Sequence, residues 1–158
     1  MNKYKIVFNK ENLEFQNKKF YYTEISKLFA ASGIEISKYN WLIANFECNY
    51  YPDDEWEKNR SSYIWISGNE FSEILYLHQQ IQVIWGTIVA YEPEKEFDEI
   101  IKEDAQLIKI SKFDFKNVES QSKLGVFELV SIDSTAFSVV SKIEIYIENL
   151  KKNINILK

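Results

Sequence analysis

Ile81-Gln82-Val83-Ile84-Trp85-Gly86-Thr87-Ile88-Val89-Ala90-Tyr91 decides the fold. In an extended chain, Ile81, Val83, Trp85, Thr87, Val89 and Tyr91 share one face, while Ile84, Ile88 and Ala90 dominate the other. Both faces are largely apolar, as in a strand with covered neighbours, so the stretch predicts a central strand. Gly86 interrupts it. A glycine inside a strand marks a bulge or a close crossing of another backbone, here beneath Trp85.

Working towards the N-terminus, residues 62–66 read as another strand, with Tyr63 and Trp65 on one face and Ile64 and Ile66 on the other. It ends in Ser67-Gly68-Asn69-Glu70, where a hydroxyl and a carboxylate three residues apart satisfy the free amides of a helix start. Phe71, Ile74, Leu75 and His78 follow at helical spacing. Residues 39–50 predict a long aromatic strand, and residues 52–61 a polar loop. Tyr4–Phe8 reads as a short strand, followed by a loop or hairpin return over 9–19. Thr23 is placed to cap a helix ending at Ser32, with Ile25, Leu28 and Phe29 on one face and Gly33 as its left-handed stop.

Towards the C-terminus, residues 92–104 form an acidic connector with helical character. Residues 107–115 alternate weakly and predict an edge strand; 116–124 are polar and loop-like. The runs 126–132 and 136–140 flank Asp133-Ser134-Thr135 and predict a β-hairpin. Ser141-Lys142-Ile143-Glu144 is a second capping-box pattern, ahead of a helix with Ile143, Ile147 and Leu150 on one face. The expected fold is α+β: one domain over 1–158 and a single antiparallel or mixed sheet. It has about six to seven strands, with two to three helices packed on one side.

Composition narrows the function classes. The 158 residues are 46% hydrophobic and 27% charged, as in an ordinary globular chain. Net charge is −5, and Arg60 is the lone arginine among 19 basic residues. Nucleic-acid binding ordinarily needs a basic stripe with forked arginine contacts, so no nucleic-acid partner is expected. The start, Met1-Asn2-Lys3-Tyr4-Lys5, runs into three apolar residues, too few for a signal-peptide core. No run approaches the ~18 uncharged residues of a membrane span. A cytoplasmic protein with no membrane association is therefore expected, its single cysteine reduced. Abundant Ile, Lys and Asn suit an AT-rich bacterial coding sequence.

Catalytic patterns are missing: there is no Gly-x-Ser-x-Gly elbow, phosphate-binding glycine loop or His-Glu-x-x-His. His78, the only imidazole, serves either as a general base or as the end of an apolar helical stripe. Cys48 pairs with it as a thiolate dyad or packs as a buried thiol within a strand. Asp53, Asp54, Glu55 and Glu57 lack the alternate spacing and central glycine of a calcium loop, so no metal or other cofactor is expected.

Charge clustering stands out. Residues 92–104 hold seven acidic residues, among them Glu92, Glu94, Glu96, Asp98 and Glu99, against two lysines, a net −5. A second cluster, Asp53, Asp54, Glu55 and Glu57, surrounds Trp56. Such segments either keep a protein soluble or steer a basic partner. An aromatic residue amid carboxylates has the composition of an interface hot spot, which makes Trp56 the anchor of a candidate surface.

Four pieces together resemble a known family. They are Tyr39-Asn40-Trp41-Leu42 running to Glu47-Cys48-Asn49-Tyr50-Tyr51-Pro52-Asp53, Tyr63-Ile64-Trp65-Ile66-Ser67-Gly68-Asn69-Glu70, Ile81-Gln82-Val83-Ile84-Trp85-Gly86, and Phe127-Glu128-Leu129-Val130-Ser131-Ile132-Asp133-Ser134. They resemble an uncharacterised family of small bacterial proteins grouped with the immunity proteins of polymorphic toxin systems. The Trp-Ile-Ser-Gly-x-Glu and Ile-x-x-Ile-Trp-Gly pieces are the most specific. The family's proline-containing stretch before Phe-Glu-Leu-Val has no counterpart in residues 117–124. The resemblance implies a binding protein that occludes a basic protein toxin, and it assigns no functional residue. Two alternatives stay open. One is a small-ligand or enzymatic domain whose pocket is lined by Trp41, Trp65 and Trp85. The other is an oligomerisation module pairing through edge strands at Tyr4–Phe8 and 107–115.

Overall fold

The computed structural model describes residues 3–9, 12–109, 122–132 and 136–157. Its main sheet runs in the order β1 (Tyr4–Phe8), β8 (Ala136–Ser141), β7 (Phe127–Ile132), β6 (Val83–Tyr91), β4 (Asn40–Cys48) and β5 (Tyr63–Ile66). Every neighbouring pair is antiparallel. The α+β class holds, and β6 is interior, as its two apolar faces require. A second sheet of β3 (Lys18–Tyr21), β2 (Asn12–Phe15) and β9 (Asn155–Ile156) departs from the single sheet expected. Within the expected 9–19 return, the described residues from Asn12 on form a hairpin of β2 with β3, closed through Gln16 and Asn17 at φ 52° and 63°. Two successive left-handed residues give the turn that matches strand twist. β9 is two residues long, too short to show any alternation.

Six helices are present among the described residues, more than the two to three expected: α1 (Ile25–Ser32), α2 (Asp54–Lys58), α3 (Gly68–Leu77), α4 (Phe97–Glu103), α5 (Ala105–Lys109) and α6 (Glu144–Asn153). Helices α2 and α5 are five residues each, too short for a periodic stripe to emerge. The main core lies between one sheet face and α1, α3 and α6. Phe29 of α1 and Phe71 of α3 meet Trp41 of β4 edge-on, at 5.2 and 5.1 Å between ring centres. Such T-shaped contacts add about 1 kcal/mol per pair to the burial itself. Helix α1 stops at Gly33, φ 76°. From α6, Asn149 Nδ2 donates to the Ser32 carbonyl at 3.0 Å and Asn153 Nδ2 to that of Ala31 at 2.9 Å. These bonds satisfy carbonyls that a helix end leaves free.

Helices cover the opposite sheet face too, which corrects the one-sided arrangement expected. Leu42, Ala44, Val89 and Tyr91 point there and pack with Ile100 of α4 and Leu107 of α5. An apolar second face cannot be left to water, so the acidic connector folds over it. Leu107 is thus helical, not part of an edge strand; positions 110–115 lie outside the described residues. The Asn45 side chain fastens this layer, donating from Nδ2 to the Leu107 carbonyl at 2.8 Å. Asn45 has φ 53° and sits where the β4–β6 register slips, between Ala44 and Glu47.

Two expected caps are corrected. Thr23 Oγ1 donates to Gln82 Oε1 at 2.8 Å, and α1 begins after Glu24 with no side-chain cap. Ser141 Oγ accepts from the Ile143 amide at 2.9 Å, and α6 begins after Ile143, likewise uncapped by a side chain. In both cases another partner takes the hydroxyl: a side chain on the approach to β6 for Thr23, and the nearby backbone for Ser141. Ser67 does cap α3, accepting from the Glu70 amide at 3.2 Å.

Candidate functional site

The residues 52–61 expected as a loop contain α2. Asp53 sits at its N-cap in an extended conformation, and Asp53 Oδ1 accepts from the Trp56 amide at 2.9 Å. Asp54, Glu55 and Glu57 fill the first turn and Lys58 the last, the order that complements a helix dipole. This capping pattern was the available signal for α2. The turn drives Trp56 inward, where it is 1% exposed. Its ring packs on Phe46 at 5.5 Å and Phe71 at 6.3 Å. Trp56 is therefore part of the core and not a surface anchor; amid carboxylates, it is the one side of α2 that faces away from water.

Asp53 opens onto a groove of about 320 Å³ between Pro52-Asp53 and α3. Ile74 and Leu77 line it together with Asp53, Glu70, Glu73 and His78. Glu70 and Glu73, three apart on α3, share a helix face. Leu77 is 66% exposed beside them, and Tyr76 75%. Neither the α3 carboxylates nor the exposed pair Tyr76-Leu77 was singled out in the sequence. Their signal was the set of α3 positions left over once the Phe71, Ile74, Leu75 stripe is assigned to the core. Among the described residues no lysine or arginine is within ion-pair distance of Asp53, Glu70 or Glu73; an ion pair forms at Lys95–Glu99, 3.2 Å.

The second acidic cluster lies elsewhere. Glu94, Glu96, Asp98 and Glu99 are exposed on and before α4, and Glu92 is partly buried. Phe97 of α4 stacks on Trp65 of β5 at 5.3 Å, on the sheet face opposite Trp56. The two clusters thus stand over opposite sheet faces, on either side of edge strand β5. They do not combine into one surface patch on a single face.

The chemistry of a nucleophile is not assembled here. Cys48 is 7% exposed, and burial pushes its thiol up to about 12, the reverse of an activated thiolate. His78 ends α3 and faces Tyr50, with Nδ1 3.3 Å from the phenol oxygen. Burial, then the Cys48 thiol, raises the Tyr50 phenol above its ordinary value. Trp41 lies in the filled core, and Trp65 is covered by Phe97. Among the described residues no three His, Cys, Asp or Glu side chains gather as a metal site, and no helix is long and apolar enough to cross a membrane. No protein-family model matches the chain, and no curated protein or solved structure does either.

Proposed function

We propose that this chain is an immunity-type binding protein that occludes a protein toxin by seating a basic surface against the α2–α3 groove. The supporting observation is the groove itself: Asp53, Glu70 and Glu73 line it alongside Pro52, Ile74 and Leu77, in no ion pair with lysine or arginine among the described residues, and the exposed Tyr76 adjoins it. Carboxylates at a rim steer a basic partner and reject acidic ones. Exposed aromatic and aliphatic side chains beside them supply the desolvated contact that holds it. No bond-making step or cofactor is needed, and the protein acts in the cytoplasm of the cell it protects.

The clusters' placement favours α2–α3 over α4 as the principal contact. The α4 carboxylates have Lys95 among them and no exposed aromatic of their own. Co-expression with the toxin domain encoded by the adjacent gene tests the proposal. Growth should be rescued by the wild-type chain and not by the Glu70→Lys/Glu73→Lys variant. Equal rescue by both, or by neither, counts against it.

A further inference from the structure

On the other flank of α3 lies a second groove, about 370 Å³, between α1, α3 and the β2–β3 turn. Helix α3 separates the two: Glu70, Glu73, Ile74 and Leu77 face the acidic groove, and Ser72, Leu75 and Tyr76 the other, with Gln79 of the following turn. The second groove carries the opposite charge. Lys18 and Lys27 line it and no carboxylate does, in a chain with 24 acidic residues. Its floor is apolar, built from Phe15, Ile34, Ile36 and Leu75. Ser26 Oγ, on the same stretch of α1, is buried with no hydrogen-bond partner among the described residues.

We propose that this groove binds a medium-chain acyl carboxylate, its chain on the apolar floor and its head between Lys18 and Lys27. The volume is at the small end of ligand sites, which suits a single chain and not a larger cofactor. Lysines offer point charges on flexible stems, so two of them can close on a single carboxylate head. The carboxylates of the proposed toxin contact and these two lysines lie on opposite flanks of α3, and Tyr76 borders both sites.

Isothermal titration with sodium dodecanoate, below its micelle concentration, tests it. One saturable site per chain is expected, with affinity lowered at least about tenfold in Lys27→Glu and in Lys18→Glu. Ala30→Trp, an exposed position lining the groove, should abolish it without lowering the melting temperature. Dodecyltrimethylammonium, the same chain with a cationic head, should not bind. Glu70→Lys/Glu73→Lys should bind dodecanoate normally, which separates this site from the proposed toxin groove. Absent or multi-site binding, equal binding of the cationic amphiphile, or indifference to Ala30→Trp overturns the assignment. A dimer by light scattering that Ala30→Trp dissociates would also overturn it, giving the groove to a second copy of the chain.

Discussion

The Tyr91 hydroxyl donates to the Asp104 carboxylate at 2.8 Å, and both residues are wholly buried. Ser122 Oγ donates to the same carboxylate oxygen at 2.7 Å, and the Lys123 amide to the other at 2.7 Å. Three donors satisfy a group whose burial would otherwise be strongly unfavourable. Asp104 belongs by sequence to the acidic connector, yet it ties the end of α4 to the approach of β7. Asp104→Ala leaves those donors unpaired and should lower the unfolding free energy by about 3 kcal/mol. Tyr91→Phe, losing one bond, should lower it by about 1 kcal/mol; urea unfolding measures both.

Trp56 and Leu77 should behave oppositely. Trp56→Ala empties part of the core beside Phe46 and Phe71 and should lower stability by about 3–5 kcal/mol in urea unfolding. Leu77 is 66% exposed, so Leu77→Ala should change stability by less than about 0.5 kcal/mol. A destabilised Leu77→Ala, or an unaffected Trp56→Ala, contradicts the placement of the two side chains.

Gly86 has φ 139°, and a Cβ there would lie 3.0 Å from Phe46 Cα in the β4 bulge. Both the backbone conformation and the close approach disfavour a side chain. Gly86→Ala should therefore destabilise by about 2 kcal/mol, read as a lower melting temperature.

How far the sequence reached follows from what each element leaves in it. The Val83–Tyr91 strand, the Gly33 stop and the Ser67 cap were legible because alternation, left-handed backbone and capping are local. Thr23 and Ser141 misled because their hydroxyls bond Gln82 and Ile143 instead of helix amides. Leu107 sits in a five-residue helix, where weak alternation and a helical turn look alike. Trp56 was misplaced for another reason: four neighbouring carboxylates describe three sides of a short helix and say nothing of the fourth. The α2–α3 groove needed tertiary contact, since it joins Asp53 to residues on another helix.

Alkali should destabilise the fold. Burial raises the Cys48 thiol from 9.0 to about 12. Burial raises the Tyr39 and Tyr91 phenols above 10.0, with Tyr146 and Asp104 respectively adding to the effect. The folded state holds these protons more tightly than the unfolded chain. Their contribution is full below the unfolded values and falls as pH rises through the folded ones. The urea midpoint should fall from pH 9 upward, and in Cys48→Ala the fall should begin nearer pH 10. A midpoint flat across that range contradicts the burial of these groups.

Binding of the purified chain to the toxin domain of the adjacent gene, followed by calorimetry at low and high salt, is the most direct measurement. A one-to-one complex that weakens with salt is expected, with affinity at least about tenfold lower in Glu70→Lys/Glu73→Lys. No complex, or one indifferent to both salt and the reversed charges, would contradict recognition through the acidic groove.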